Sequence, residues 1–371
     1  MEAVHLQRLQ QSHDRFESNK ESVIMSDYTI TYVSPQDKRL LAEIDTLLSA
    51  EGLTRDKNLD YICAALDETD HVVATGSCFG QTLRCFAVEQ THQGEGLLNA
   101  IVSHLIELQI NRGNSHLFVY TKVSTAKFFQ SLGFYEIVRV DGVVSFLENR
   151  RSGFSDYLNG LRATARSGLS GAVVMNANPF TLGHRHLVET AAAVCDTLHL
   201  FVLSEDASLV PFSVRMDLVR RGVADLSNVV IHESGPYLIS GATFPSYFLK
   251  DSETVIEAHA RLDAAIFAKI AGTLGISKRF VGEELTSTVT ARYNAVMEEE
   301  LPKSGIALQV IPRKSVGSQV ISASTVRAAL QTGDRDVLKA MLPETTLAYF
   351  RSPEAKPVIE AIRRAGNVVH Y

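Results

Sequence analysis

The sequence predicts an α/β protein with two domains, an α+β domain over residues 25–150 and a doubly wound, parallel-sheet domain over residues 169–350. Three observations predict this fold class. The chain has 371 residues, more than one hydrophobic core usually serves. Short β-rich segments and helices are mixed in the first part of the chain. In the second part strands and helices alternate, which is typical of parallel βαβ units.

Composition and charge narrow the function classes. Hydrophobic residues make up 45% of the chain and charged residues 21%, which is ordinary for a globular protein. The formal net charge of −6 argues against a protein that coats nucleic acid, because phosphate binding needs clustered Lys and Arg. No apolar run reaches the ~18 residues that span a bilayer. We therefore expect a cytoplasmic protein with neither nucleic-acid nor membrane partners.

The first residues and the cysteines indicate neither processing nor metal binding. Residues 1–24 are polar and of mixed charge, so we expect a tail rather than a signal peptide. The four cysteines form no C-x-x-C pair, which favours free thiols over a disulfide framework or a zinc site. We predict no protein-held metal site.

The α+β domain is predicted from short apolar segments that turns interrupt. Its predicted helices cover 37–50, 97–110 and 124–132. Its predicted strands cover 61–65, 72–78, 83–88, 117–120 and 135–139. Arg, Ser and Gly accumulate beyond this domain, so residues 151–168 are predicted to be a linker with a short helix at 157–164.

The parallel-sheet domain is predicted from its alternating elements. Its predicted strands cover 171–175, 197–203, 229–232, 279–281 and 307–311. Its predicted helices cover 183–194, 213–224, 253–271, 288–300 and 326–331. Residues 351–371 are predicted to form a helical tail. In such a sheet ligands gather at the carboxyl ends of the strands.

The most informative motif lies where the first strand of this domain ends. Residues 176–184 read N-A-N-P-F-T-L-G-H, a polar turn that leads into a helix beginning at Gly183. A helix amino terminus presents unpaired N–H groups and a partial positive charge, which suits a triphosphate. Thr181 adds a hydroxyl and His184 an imidazole. Alone, T-x-G-H could be a chance tetrapeptide, but the strand before it and the helix after it favour a phosphate site.

A second turn of the same chemical type comes later in the domain. Residues 321–327 read I-S-A-S-T-V-R and precede a helix. Their hydroxyls and the guanidinium of Arg327 would make another anion cradle. The alternative is a simple N-cap, because Ser and Thr are preferred there in any case. The combination with the first turn favours the cradle.

Together the two turns, T-x-G-H and I-S-x-S-x-x-R, resemble the motifs of the nucleotidyltransferase superfamily. Longer stretches resemble the citrate lyase ligase family, and the resemblance covers about residues 25–350. These stretches are N-A-N-P-F-T-L-G-H-R-H-L-V-E (176–189), A-T-F-P-S-Y-F-L-K (242–250) and V-G-E-E-L (281–285). The resemblance implies a Rossmann-like, HIGH-type nucleotidyltransferase fold for the second domain.

The resemblance also implies an activity, that of an acid–thiol ligase. Such enzymes use ATP, with Mg²⁺, and acetate to make acetyl adenylate. The acetyl group then passes to the thiol of a CoA-like prosthetic group on the acyl carrier subunit of citrate lyase. AMP and diphosphate leave, and citrate lyase becomes active. Two alternatives stay open, an adenylyltransferase of the phosphopantetheine or nicotinate nucleotide type and a module that only senses nucleotides.

The residue roles follow from the same resemblance. Thr181 and His184 are expected to be catalytic, binding the phosphates and stabilising the transition state. Ser324 and Arg327 are expected to hold the β- and γ-phosphates of the departing diphosphate. The full set of expected ATP-binding residues is Asn178, Phe180, Thr181, Gly183, His184, Gly282, Glu283, Ser322, Ser324, Thr325 and Arg327.

Two further positions carry open alternatives. Lys250 is expected to reach a phosphate or else to be an ordinary surface lysine. Gly282 and Glu283 follow a strand, where a ribose or adenine would lie, or else they belong to a solvated loop.

The first domain carries a resemblance of its own. Residues 93–98 read Q-G-E-G-L-L and resemble the acetyl-CoA loop, R/Q-x-x-G-x-G/A, of the GNAT-type N-acetyltransferases. Residues 125–135 are similar to that family's later helix–strand element. Leu98 replaces the final small residue, and no general base is evident. We therefore expect an acetyltransferase-like α+β domain without acetyltransferase activity, with binding of the carrier's CoA-like arm as an alternative role.

Overall fold

The computed structural model describes residues 23–25, 27–205, 207–241, 243–249, 251–283, 288–317 and 319–365. Contacts divide the chain into two units. The first unit runs to Ile137 and adds Asp141–Arg151 and Pro245–Asp251, and the second takes Val138–Val140, Ser152–Phe244 and the chain from Ser252 onward. Most of the predicted tail over 1–24, and the last residues of that over 351–371, lie outside the described residues.

An eight-stranded sheet forms the first unit. Its strands are β1 (Val23–Met25), β2 (Tyr28–Tyr32), β3 (Tyr61–Leu66), β4 (Val72–Phe79), β5 (Thr82–Val88), β6 (Phe118–Thr121), β7 (Tyr135–Val140) and β8 (Val144–Glu148). The last three residues of β7, Val138–Val140, are counted with the second unit. Its helices are α1 (Lys38–Ala50), α2 (Leu97–Asn111) and α3 (Ala126–Ser131). The strand order is β1-β2-β3-β4-β5-β6-β8-β7, and β5 and β6 are the parallel neighbours among mostly antiparallel ones. The predicted α+β character is confirmed.

Hydrophobic periodicity places these elements well. The three helices and five strands predicted for this part are all present, with ends that differ by at most a residue or two. Sequence reasoning missed β1, β2 and β8, and β1 includes Val23 and Ile24 from the predicted tail. All three are short, and β2 becomes a strand by pairing along β3, from Thr29 opposite Leu66 to Tyr32 opposite Cys63. Such pairing is a long-range property that a local pattern does not contain.

The segment Pro245–Asp251 belongs to the first unit although its neighbours in sequence do not. The hydroxyl of Tyr247 donates to the carbonyl of Tyr120 on β6 at 2.6 Å. Ser246 donates through its N–H and its hydroxyl to Oδ1 of Asp56 at 3.1 and 2.9 Å. Asp56 also pairs with Arg84 of β5 at 3.2 Å, and both are buried. The segment is thus held by buried polar contacts.

A five-stranded, wholly parallel sheet forms the second unit. Its strands are β9 (Ser170–Met175), β10 (Thr197–Val202), β11 (Val229–Glu233), β12 (Ile276–Gly282) and β13 (Ala307–Ile311), and a short hairpin follows, β14 (Ser315–Val316) and β15 (Gln319–Val320). The strand order is β11-β10-β9-β12-β13. The chain therefore reverses direction across the sheet at β9, and the doubly wound fold is confirmed. Such a reversal leaves a crevice at the carboxyl ends of the central strands.

Helices surround this sheet. They are α4 (Gly153–Arg162), α5 (Leu182–Ala192), α6 (Phe212–Gly222), α7 (Ser252–Leu274), α8 (Thr288–Glu300), α9 (Ala323–Thr332), α10 (Arg335–Met341), α11 (Glu344–Arg351) and α12 (Lys356–Arg364). One sheet face buries alternate residues of β10, Leu198, Leu200 and Val202, in a single apolar core. No helix of the described ranges is long and apolar enough to cross a bilayer.

The helix predicted at 157–164 is placed differently in the structure. It is α4, which begins at Gly153 and ends at Arg162. Phe154 and Leu161 are its buried residues, seven positions and therefore two turns apart. The apolar contact of Phe154 extends the helix toward its amino terminus, beyond the stretch that the local pattern suggests.

Candidate functional site

The turn after β9 is closed by two side chains that cap α5. Thr181 is the N-cap, and its hydroxyl accepts the N–H of His184 at 3.3 Å. The imidazole Nδ1 of His184 in return accepts the N–H of Thr181 at 3.1 Å. This is a capping box in which histidine takes the place usually held by Glu or Gln. The two side chains that the sequence singled out are therefore fixed against each other at the helix amino terminus.

The capping contact also sets the protonation of His184. Because Nδ1 accepts a main-chain N–H, the neutral ring carries its proton on Nε2. Burial, with a smaller effect of the charge of Arg313, lowers the pKa of His184 to about 4. The ring is therefore neutral near pH 7 and presents one N–H donor. A neutral donor at a helix amino terminus is suited to bind a phosphoryl oxygen.

The second turn gathers hydroxyl groups at the start of α9. Ser322 is the N-cap and accepts the N–H of Thr325 at 3.1 Å. Its Oγ lies 2.9 Å from Oγ of Ser324 and 2.8 Å from Oγ1 of Thr325. The N-cap interpretation and the cluster of hydroxyls thus both hold for this turn.

Two contacts bring the turns together. Arg327 of α9 donates from Nη1 to the carbonyl of Asn178, before α5, at 2.7 Å. A Cβ atom added to Gly183 would lie 3.2 Å from the carbonyl oxygen of Ile321 and 3.5 Å from Cγ2 of that residue. The amino-terminal turns of α5 and α9 therefore adjoin. The described atoms nearest to this added Cβ are those of Ile321 and the hydroxyl oxygen of Thr181, the latter at 3.4 Å. The approach of a ligand to the backbone at Gly183 stays a prediction.

Two of the expected ATP-binding residues lie beneath the turn. The ring of Phe180 has no exposed surface and packs against Gly222 of α6, where an added Cβ would come within 2.4 Å of it. Asn178 is 6% exposed, and its Oδ1 accepts the N–H of Val210 at 3.0 Å. Their side chains hold the loop, so a contact of Phe180 with a nucleotide has to use its main chain.

The carboxyl end of β12 lies next to β9 in the sheet. Glu283 donates its N–H to the carbonyl of Ile311 at 2.8 Å, and its own carbonyl accepts Nε of Arg313 at 2.6 Å. A Cβ at Gly282 would meet nothing within 4 Å among the described residues. Gly282 and Glu283 therefore reach the same edge of the sheet as the Thr181 turn. The remaining candidate, Lys250, lies outside the described residues.

Two arginines near this edge were missed by sequence reasoning. Arg313 follows β13, and its positive charge helps to lower the pKa of His184. Arg215 is fully buried in α6. A basic residue just beyond the last parallel strand was a usable signal for Arg313. For Arg215 the signal was a charge at a helix position that the apolar pattern assigns to the core.

The site contains anion-binding groups rather than metal ligands. Within the described ranges, no cluster of three or more His, Cys, Asp and Glu side chains could hold a metal ion. Two helix amino termini, clustered hydroxyls, a neutral imidazole and a guanidinium fit a nucleotide triphosphate. Mg²⁺ bound to such a nucleotide is held largely by phosphate oxygens and water, so it needs few protein ligands.

Comparison with known proteins gives matches along most of the chain. The family described as "Citrate lyase ligase C-terminal domain" matches residues 170–350. Citrate (pro-3S)-lyase ligase of Haemophilus influenzae is 37% identical over 326 residues, which are 86% of this chain and 97% of the relative. The Escherichia coli protein of the same name is 36% identical over 330 residues, 87% of this chain and 93% of the relative.

Solved structures resemble parts of the chain. An acetyltransferase of the GNAT family from Staphylococcus aureus covers 33% of this chain and 97% of its own, with a TM-score of 0.28 and 14% identity. A protein described as a nicotinate-nucleotide adenylyltransferase, from Vibrio parahaemolyticus, covers 52% of this chain and 96% of its own, with a TM-score of 0.35 and 15% identity.

Proposed function

The chain belongs to the citrate lyase ligase family, and we propose that it activates citrate lyase by ATP-dependent acetylation of a thiol on the acyl carrier subunit of that enzyme. The contact between the amino termini of α5 and α9 is the observation that carries the proposal, because two adjoining helix amino termini favour the binding of one extended anion. Its substrates are ATP and acetate, and its products are AMP, diphosphate and the acetylated carrier. The cytoplasm is the proposed location, in keeping with thiols that are all free.

The proposed reaction has two steps. An oxygen of the acetate carboxylate attacks the α-phosphorus of ATP, the bond to the β-phosphate oxygen breaks, and diphosphate leaves with that electron pair. The carrier thiol, having lost its proton, then attacks the acyl carbon, and AMP leaves. The first step needs positioning and charge stabilisation rather than a covalent enzyme intermediate. Mg²⁺, bound with ATP, supplies further neutralisation of phosphate charge.

The groups on α5 are proposed to act at the α-phosphate. The Nε2–H of His184 donates to a non-bridging oxygen, whose charge grows as the carboxylate attacks. The main-chain N–H groups at the amino terminus of α5 add a favourable dipole. Because the ring stays neutral, it donates a hydrogen bond and transfers no proton.

The groups on α9 are proposed to hold the departing diphosphate. Ser322, Ser324 and Thr325 present hydroxyls at a helix amino terminus, where an anion is favoured. Arg327 keeps one of its five N–H donors on the carbonyl of Asn178, and its charge lies beside the turn. Burial lowers the pKa of Arg327, yet a guanidinium remains charged at any physiological pH. Gly282 and Glu283 are proposed to face the ribose or adenine, and residues 169–350 to form the domain that carries this chemistry.

The test is ATP–diphosphate exchange measured with a panel of carboxylates. Acetate should stimulate the return of labelled diphosphate into ATP, because exchange requires an acyl adenylate to form reversibly. Formate, propionate and a no-acid sample are the controls. Stimulation only by a phosphate-bearing acceptor, such as phosphopantetheine or nicotinate mononucleotide, would support an adenylyltransferase instead. No exchange with any acceptor would contradict both the ligase and the adenylyltransferase assignment.

A further inference from the structure

A buried arginine joins the loop that carries the Thr181 turn to a neighbouring loop. Arg215 lies in α6 and has no exposed surface. Its Nε donates to the carbonyl of Val210 at 3.0 Å, and Nη2 donates to that of Glu205 at 2.6 Å. Its Nη1 donates to the carbonyls of Asn176 and Leu203, at 2.8 Å each. One guanidinium thus binds four main-chain carbonyls.

These carbonyls lie just beyond two neighbouring strands. Asn176 follows β9, and Leu203 and Glu205 follow β10, whose last residue Val202 pairs with Met175. Side chains support the same junction, since the amide of Asn176 donates to the hydroxyl of Ser208 at 2.9 Å. The loop after β9 is therefore connected to the loop after β10 by one buried guanidinium.

The tied loop is the one that presents the capping groups. Asn176 is two residues before Asn178. The carbonyl of Asn178 accepts a hydrogen bond from Arg327, and its side chain accepts one from the N–H of Val210. Thr181 follows three residues later as the N-cap of α5. A shift of the Asn176 carbonyl would therefore move the Asn178 carbonyl and, through it, the contact between α5 and α9.

We propose that Arg215 is a positioning residue for adenylate formation: it contacts neither substrate, and it holds the turn that carries Thr181 and His184 in register with the start of α9. This inference rests on the proposed function for its catalytic consequence. Its structural part, the ordering of the two loops by one guanidinium, does not depend on any activity.

Three replacements of Arg215 form a graded test. Arg215→Lys keeps the charge on a single nitrogen, Arg215→Gln keeps two N–H donors without charge, and Arg215→Met keeps length without donors. The control is Arg221→Met on the same helix, where the arginine is half exposed and pairs with Asp217. Each protein is compared with the parent in thermal unfolding, in hydrogen exchange of the peptides covering 176–182 and 203–210, and in the kcat and KM of acetate-dependent ATP–diphosphate exchange.

The expected result is local loosening with loss of rate. Arg215→Lys should stay folded, exchange its amides faster in these two peptides than elsewhere in the second unit, and lose about 100-fold in kcat, the scale that a misplacement of ~1 Å produces. Arg215→Met should lose more, and Arg221→Met should match the parent in all three measurements.

Several outcomes would overturn the assignment. Amide exchange that is unchanged in both loops would do so. A loss of amide protection that is uniform across the second unit, with the kcat of the folded molecules retained, would do so as well. Failure of all three variants to fold beside a folded Arg221→Met would show that Arg215 serves the core as a whole. If the parent itself shows no diphosphate exchange, the proposed function fails, and the amide-exchange pattern alone then decides whether Arg215 orders the loops.

Discussion

The imidazole of His184 has distinct tasks for its two nitrogens. Nδ1 accepts the N–H of Thr181 and so completes the cap of α5. Burial keeps the ring neutral with a pKa of about 4, and Nε2 carries its proton because Nδ1 is occupied as an acceptor. Sequence reasoning identified this residue from T-x-G-H, but the cap, the tautomer and the neutral state depend on contacts that only the fold supplies.

At this residue we predict a loss of rate with the fold retained. His184→Ala should lower ATP–diphosphate exchange about 10²–10³-fold, because a preorganised donor to a charge-developing oxygen is worth ~3–4 kcal/mol. The matched control is His186→Ala, two residues further along α5, which should exchange like the parent. Circular dichroism checks that both variants are folded. A rate for His184→Ala within about threefold of the parent would refute the assignment.

A second histidine feature concerns stability toward acid. His199 on β10 and His232 on β11 are buried, with Nδ1 of the first 2.9 Å from Nε2 of the second. Burial, reinforced by Arg166, lowers the pKa of His199 to about 4, and burial, reinforced by His199, does the same for His232. Within the described part of the chain, Nε2 of His199 has no hydrogen-bond partner. An additional proton, which would give the pair a positive charge, is therefore strongly disfavoured in the folded state.

The pair predicts a pH window for unfolding. The folded-state pKa lies below the unfolded value of about 6.5, so the unfolded chain binds protons first as the pH falls. The stability due to the neutral pair is complete above that value and is lost between about pH 6.5 and 4. As the pH is lowered across this range, the urea concentration at the unfolding midpoint should fall. His232→Gln should make this midpoint depend less steeply on pH. His186→Gln is the control. If the midpoint of His232→Gln depends on pH as steeply as that of the parent, other groups govern the transition.

At the scale of elements, the meeting of α5 and α9 depends on the absence of a side chain. Gly183 lies in the first turn of α5, and a Cβ there would stand 3.2 Å from the carbonyl of Ile321. That distance is tighter than ordinary van der Waals contact, and its partner is main chain, which cannot rotate away. The sequence predicts that a ligand approaches the backbone at Gly183, and the structure adds a close helix-to-turn contact at the same residue.

We therefore predict that Gly183→Ala separates the two turns. ATP–diphosphate exchange should fall by about tenfold or more, since small misplacements at a reacting centre are costly. The same substitution at Gly272, in α7, meets no described atom within 4 Å and should raise stability by up to ~1 kcal/mol through helix propensity. Rates and thermal unfolding of the two variants provide the comparison. Parental exchange by Gly183→Ala would mean that the contact adjusts without consequence.

At the scale of the whole chain, contacts between distant segments complete each unit. Tyr247 reaches the carbonyl of Tyr120, 127 positions earlier in the chain. Burial raises the pKa of Tyr247, so its phenol keeps the proton that it donates. Its segment was singled out in the sequence only as part of A-T-F-P-S-Y-F-L-K, and nothing local indicated that it would join the first unit.

Removing the hydroxyl of Tyr247 should lower the free energy of unfolding of the first unit. Tyr247→Phe leaves the Tyr120 carbonyl without this donor, at a cost of about 1–3 kcal/mol for a buried group. Tyr135→Phe, at an exposed position of β7, is the matched control and should be neutral. Unfolding followed by chemical denaturation measures the difference. Identical midpoints for the two variants would show that the Tyr120 carbonyl finds another donor.

The sequence by itself determined the types of most elements, the parallel character of the second sheet and the two turns of the candidate site. These features depend on local periodicity, on capping residues and on short motifs, all of which act over a few neighbouring positions. It also carried the family, because 37% identity with a relative extends over 86% of the chain.

Only the tertiary structure decided the strand order, the contact of Gly183 with Ile321, the burial of Arg215 and the placement of Pro245–Asp251 in the first unit. Each of these joins segments far apart in the chain that compete for the same buried volume. Close packing and the need to pair most buried polar groups select one arrangement among many that share the same local pattern. The chemistry of the turns is therefore local in origin, and their geometry is a property of the whole fold.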